Sequence, residues 1–170
     1  MDNILGLLKL RIKKGISLAI RDTRSSDPYV VVTSGDQKVK TRVIKNNRNP
    51  QWDDELTLSV KDVNTPIHLA VFDQDTFSVD DKMGDAEIDI KPYLQCLKMN
   101  LGNLPNGSVV KKIQPDGKNY LSEESSCILK NGKVTQEMTL ALRNVECGHV
   151  VVEIEWKEVP GCKGLSGIEI

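Results

Sequence analysis

The chain has 170 residues, a length that suits one domain, and carries 23 Lys+Arg against 24 Asp+Glu for a net charge of −1. That balance excludes a strongly basic nucleic-acid binder and a long acidic tail, and at 4% aromatic content the chain lacks the rings for a base-stacking platform. The balance hides a segregation: residues 1–50 hold eleven Lys/Arg and four Asp/Glu (net +7), residues 51–90 hold two and eleven (net −9), and residues 91–170 hold ten and nine.

The start, MDNILGLLKLRIKK, reads poorly as a signal peptide, and no apolar run reaches the roughly 18–20 residues of a membrane span. Asp2 excludes myristoylation, and GIEI at the C-terminus has no prenylation cysteine. Any membrane contact is therefore expected to be peripheral and non-covalent. Leu8, Leu10 and Ile12 alternate with Lys9, Arg11 and Lys13, which predicts a strand with one apolar and one basic face. Leu18 and Ile20 lead a second short run into Arg21-Asp22. A polar loop, TRSSDP, precedes the β-branched YVVVTS. After a turn at Gly35-Asp36, Lys38, Lys40 and Arg42 alternate with Val39, Thr41 and Val43, predicting a second strand with a basic face. NNRNP is a loop, and ELTLSV, IHLAVFDQD and GDAEIDI each alternate with period two.

Pro92 opens YLQCLKMN as a short helix, since proline suits a first helical turn. LPNGS and PDGKN are turns around the strand VVKKI, and Ser122–Ser126 reads as a polar loop. Asn131-Gly132 between two extended runs is a strong hairpin signal of the type I′ kind. VVVEIEWKEV is the last strand, with Val150, Val152, Ile154 and Trp156 on one side. The tail GCKGLSG is expected to be loose. About eight strands spaced by turns predict an all-β, antiparallel β-sandwich in a single domain.

Cys96, Cys127, Cys147 and Cys162 form no CxxC pair, and no histidine sits at zinc-ligand spacing, so reduced, inert thiols are expected. The chemically distinctive stretch is VFDQDTFSVDDKMGDAEI. Asp73, Asp75 and Asp81 lie in one loop between two strands, and IRDTRSSDPYV offers Asp22 and Asp27 in an earlier loop. If both loops meet at one end of the sandwich, five carboxylates converge. Oxygen ligands in number suit Ca2+, and the absence of imidazole and thiolate argues against zinc or copper. The EF-hand pattern fails, because Phe77, Ser78 and Gly84 fall where it needs its fifth, sixth and twelfth residues. The plain alternative is a set of solvated loop acids.

RDTRSSDPYV, KVKTRVIKNNRNPQWDDELTLSV and LAVFDQDTFSVDDKMGDAEIDI, in that order, resemble a C2 domain, the calcium- and phospholipid-binding β-sandwich. The whole chain resembles the plant family of small C2-domain abscisic-acid-related proteins. That resemblance implies an eight-stranded sandwich spanning 1–170, with an insertion within about 91–144 that holds a short helix and extra strands. It implies calcium ligands at Asp22, Asp27, Asp73, Asp75 and Asp81, with Arg21 and Gln74 contributing main-chain carbonyls. It also implies two or more Ca2+ ions.

Five carboxylates repel one another by roughly 1–4 kcal/mol per close pair. Two calcium ions would nearly cancel them and leave positions that lipid phosphates can fill. Phe77, between Asp75 and Asp81, is a candidate wedge into the membrane or a residue packed under the loop. The resemblance places an anionic-lipid surface at Lys38, Lys40 and Arg42, whereas the Lys9, Arg11, Lys13 row reads as a solvated sheet face. Trp52, after Asn49-Pro50, and Trp156 read as packing residues.

No GxSxG, Walker A or HExxH motif is present, and His68 and His149 have no visible nucleophile, so no enzyme is expected. The resemblance implies a calcium-dependent adaptor that recruits abscisic-acid receptors to the plasma membrane and promotes abscisic-acid signalling. Its places would be the cytoplasm, the membrane periphery and the nucleus. The segment 91–144 is the expected receptor surface. The alternative is an activator of a small or unconventional GTPase. No arginine finger is identifiable, Arg24 and Arg48 being exposed candidates.

Overall fold

The computed structural model describes residues 3–21 and 26–170. Their strands form two antiparallel sheets. One sheet runs in the order β4 (Asp54–Val60), β1 (Gly6–Ile16), β10 (His149–Lys157), β9 (Lys133–Ala141), β8 (Ser125–Lys130) and β7 (Val109–Ile113). The other runs β3 (Gln37–Lys40), β2 (Pro28–Ser34), β5 (His68–Asp73) and β6 (Asp81–Glu87). A helix, α1 (Lys91–Leu97), follows β6 with Pro92 in its first turn, as expected. Removing β7 and β8 leaves two four-stranded sheets, so the predicted eight-stranded sandwich with added strands is the observed architecture.

Period-two alternation positions the core. Leu8, Leu10 and Ile12 of β1 and Val150, Val152 and Ile154 of β10 are all fully buried. They share one cluster with Val30, Val32, Leu69 and Val71 from the second sheet. Trp156 packs on Gly6, where a Cβ atom would come within 2.3 Å of the indole. Asn131 and Gly132 both have positive φ (50° and 82°) and join the directly paired Lys130 and Lys133, which makes the predicted hairpin.

Trp52 is fully buried and its indole N–H donates to the Pro28 carbonyl at 3.0 Å. Asn49 Oδ1 accepts from the Ser17 N–H at 2.7 Å, and the Pro50 carbonyl accepts from Gly15 N–H at 2.9 Å. The Asn49-Pro50-x-Trp52 motif thus ties the end of β1 to the start of β2, a structural role.

Four local expectations need correction. β1 ends at Ile16, and Ser17 (φ 50°) turns the chain, so Leu18 and Ile20 belong to no strand. β3 stops at Lys40: the Thr41 N–H still donates to the Val30 carbonyl at 2.9 Å, but the Thr41 hydroxyl rather than its carbonyl accepts the Val30 N–H at 2.9 Å, so the ladder pair is not completed. Ser125 and Ser126 begin β8 rather than a loop. The Ser125 hydroxyl donates to the Glu137 carbonyl at 2.7 Å, so sheet pairing satisfies a polar residue.

The tail, finally, is docked. Leu165, Ile168 and Ile170 pack on the core, Lys163 N–H donates to the Ile4 carbonyl at 3.3 Å, and Gln95 Nε2 donates to the Ile170 carbonyl at 3.2 Å.

Candidate functional site

β5 and β6 deliver the distal acids. Their register sets Asp73 directly opposite Asp81, while β2 sets Pro28, which follows Asp27, opposite Asp73. The Asp27 N–H donates to Asp73 Oδ1 at 2.8 Å, and Gln74 N–H donates to the Asp27 carbonyl at 3.0 Å. Asp27 Oδ1 also accepts from Asn46 N–H at 2.8 Å. Asp73 is 1% exposed. A buried carboxylate facing a second one across a strand pair is electrostatically unfavourable unless positive charge compensates.

Asp75 is turned onto its own loop. Its carboxylate accepts from the Ser78 hydroxyl at 2.7 Å and from Phe77 N–H at 3.1 Å. Those two donors, Ser78 first, hold its carboxyl below the usual carboxylate range. Asp80, an acid the sequence reading left aside, accepts from Asp75 N–H at 2.9 Å and from the Tyr29 hydroxyl, and these donors likewise lower its pKa.

The expected convergence is therefore only partly seen. Asp27, Asp73, Gln74, Asp75 and Asp81 sit at one end of the four-stranded sheet, but among the described residues no three Asp, Glu, His or Cys side chains close on one point. Asp75 spends its carboxylate on hydrogen bonds within its own loop. Asp22 and Arg24 lie outside the described residues. By chemistry the donor set fits calcium, being all oxygen.

Arg21 is pinned from afar. Its guanidinium makes a bidentate pair with Glu146 at 3.0 Å on both arms, which raises the Arg21 pKa and pulls Glu146 down to about 2. Glu146 lies 125 positions away, beyond the reach of any local motif.

Between Asp75 and Asp81, Phe77 is 96% and Val79 88% exposed, so Phe77 is not packed under the loop. The loop has apolar side chains at its tip and acids at its base. Beside it, on the outer face of the small sheet, lies a groove of about 430 Å3 that includes Lys38, His68, Val79 and Asp80. Tyr29 and Phe72 stack in it with centroids 5.8 Å apart.

The three predicted lipid cations divide. Lys38 and Lys40 are on β3, Lys40 and Lys38 both open to solvent. Arg42 is exposed but lies past the strand, with its side chain on the Trp52 carbonyl at 2.7 Å and on Asp54 at 3.5 Å. The three do not form one row on one strand. The Lys9 row is neutralised within its sheet, as the plain reading expected: Lys9 faces Glu55, Arg11 faces Asp53, and Lys13 lies 2.5 Å from Glu137 and 3.6 Å from Glu153. Arg48 donates to the Leu18 carbonyl at 2.8 Å, a structural contact.

Residues 6–106 match the C2-domain family. Protein C2-DOMAIN ABA-RELATED 10 of Arabidopsis thaliana is 55% identical over 95% of this chain and 91% of its own length. A rice protein (Oryza sativa subsp. japonica) named GTPase activating protein 1 is 48% identical over 97% of this chain and 99% of its own. The calcium-bound pair of C2 domains from extended synaptotagmin 2 shares the fold (TM-score 0.63, 20% identity, 92% of this chain and 47% of that one). So does a C2 domain of plant extended synaptotagmin 1 (TM-score 0.59, 18% identity, 92% and 97%). The chain belongs to the C2-domain family and, within it, to the C2-domain abscisic-acid-related proteins.

Proposed function

We propose that this protein is a calcium-dependent phospholipid-binding adaptor. The observation that carries the reading is the loop between β5 and β6. A buried Asp73 faces Asp81 across the strands at its base, and Phe77 and Val79 stand in solvent at its tip. Calcium would be held by Asp73, Asp75, Asp81, Asp27 and Asp22, with the Arg21 and Gln74 carbonyls. It supplies positive charge that offsets carboxylate repulsion and attracts lipid phosphate. The chain's own residues do the rest. Phe77 and Val79 offer apolar surface to the interface, and Lys38 and Lys40 add attraction to an anionic leaflet worth about 1 kcal/mol each. The stacked Tyr29 and Phe72 give that face a flat floor.

The abscisic-acid-related kinship supports a role in bringing abscisic-acid receptors to the plasma membrane and promoting their signalling, with the cytoplasm and nucleus as further locations. The segment 91–144 is the proposed receptor surface. It is not wholly an appendage, since Met138 and Leu140 of β9 are core residues. Receptor pull-down with surface substitutions in 91–130, outside β9, tests this, and unchanged binding would remove the assignment.

The rice relative's name supports a second reading, activation of a GTPase. Single-turnover GTP hydrolysis by a candidate GTPase, with and without this protein, decides it; no acceleration leaves the adaptor alone. Liposome sedimentation of Asp73→Asn with Asp75→Asn tests the calcium assignment. Pelleting equal to wild type in calcium would make the acids bystanders.

A further inference from the structure

The loop joining β9 to β10 belongs to the large sheet, yet it is fastened to the acidic end of the small one. Arg143 and Asp85 exchange backbone hydrogen bonds at 2.8 and 3.0 Å, and Asn144 Nδ2 donates to the Asp85 carboxylate at 3.2 Å. Gly84 (φ 103°) lets Val145 approach β6 closely, since a Cβ there would lie 2.5 Å from a Val145 methyl. The Leu142 N–H donates to the Gly148 carbonyl at 3.1 Å and closes the loop. The loop is thus held against β6 just beyond Asp81, and it carries Glu146.

Glu146 has a mostly exposed side chain, but it grips both arms of the Arg21 guanidinium at 3.0 Å. The Arg21 main chain is held separately. Its N–H donates to the buried Ser26 hydroxyl at 3.0 Å, and that hydroxyl donates to the Ala19 carbonyl at 2.9 Å. Among the described residues the guanidinium has no other ion pair, although Asp81 is near enough to stabilise its charge. A guanidinium is always charged, and its fork of donors matches a carboxylate. Freed from Glu146, it would find Asp81 as a neighbouring acid and act as a resident cation there.

We propose that Glu146 is a positioning residue of the calcium site, which holds the Arg21 guanidinium away from Asp81 and keeps that carboxylate open to the metal. The inference rests on the calcium reading above and adds to it a residue from the opposite sheet. Paired, Arg21 and Glu146 sum to zero, and the site keeps its full negative charge. Unpaired, Arg21 cancels one of the acids that calcium needs.

The test has a calcium arm and a calcium-free arm, both on the full chain, with circular dichroism as the check on folding. In calorimetric titration with calcium, Glu146→Gln should bind roughly fivefold more weakly than wild type, the effect of one unmasked positive charge beside a divalent ion. Adding Arg21→Gln should recover most of that loss, because it removes the competing charge and leaves the main-chain carbonyl in place. A merely structural role would not be rescued by a second deletion. Glu169→Gln, which makes the same change of net charge on the exposed tail, should stay within about twofold of wild type, since distant surface charges are screened. In EGTA, the carboxyl-carbon NMR signal of Asp81 should shift in Glu146→Gln and return in the double variant. Wild type silent to calcium in calorimetry would end the calcium reading alone. An Asp81 signal indifferent to Glu146, or a double variant as weak as the single one, overturns the proposal.

Discussion

Two rows of alternating cations, Lys9-Arg11-Lys13 and Lys38-Lys40-Arg42, look alike in sequence and end in different surroundings. β1 is a central strand, flanked by β4 and β10, and its neighbours bring Glu55, Glu153 and, one strand further, Glu137 onto the same face. Glu137 and Glu153 face each other directly, an unfavourable pair that Lys13 relieves by touching both. β3 is an edge strand with a single neighbour, β2, and Lys38 and Lys40 make no ion pair among the described residues. A basic row inside a sheet is charge pairing, whereas one at an edge stays available to an outside anion.

The predictions try to break that distinction. The largest effect lies at the base of the acidic loop: Asp73→Asn with Asp75→Asn should reduce calcium-dependent liposome binding to the level in EGTA. Next, Lys38→Ala with Lys40→Ala should weaken binding to anionic vesicles by about 2 kcal/mol, roughly 30-fold at low salt. Lys9→Ala with Lys13→Ala should leave lipid binding within about twofold, and equal losses for the two pairs would erase the contrast. Phe77→Ser removes a side chain whose full burial is worth about 1.5–3 kcal/mol, so partial insertion should give about a tenfold loss in partitioning without lowering Tm.

Smaller effects fall on stability. Lys13→Ala should cost about 1 kcal/mol or less in denaturant unfolding, since its pairs are partly exposed. Glu146→Gln should show a pH signature. Arg21 depresses the folded Glu146 pKa from 4.5 to about 2, so the wild type binds fewer protons folded than unfolded. The pair's contribution is fully present above about pH 4.5 and disappears as pH falls through 2. The Tm gap between wild type and variant should close over that window. A gap constant with pH would mean Glu146 acts through packing.

Much of the fold was legible because period-two alternation and turn chemistry are local. Leu8-Leu10-Ile12, Pro92 and Asn131-Gly132 each announced their element. What failed was decided by distant partners. β3 stops where Thr41 bonds back to Val30, Ser125 joins a strand through Glu137, and the glycine-rich tail is anchored by Ile4 and Gln95.

The site divides the same way. Asp27, Asp73, Asp75 and Asp81 were visible as a spaced acidic pattern, whereas Glu146 on Arg21 was not, because the chain between them folds a whole sandwich. Asp80 was readable as the neighbour of Asp81, yet only the Tyr29 hydroxyl and Asp75 N–H give it a role. The buried Trp156 indole N–H, which has no acceptor among the described residues, has no sequence signature, since the alternation that buries the ring says nothing of its acceptor.

The net charge of −1 is the sum of these opposed surfaces, and on the proposed reading calcium would make one of them conditional. Co-sedimentation with phosphatidylserine-containing liposomes, in calcium and in EGTA at fixed ionic strength, measures that condition directly. The expected result is strong pelleting in calcium that falls in EGTA to a weak remainder, and that remainder is abolished by salt. Equal pelleting in both would contradict the calcium switch and leave only the basic edge of β3 to explain membrane attachment.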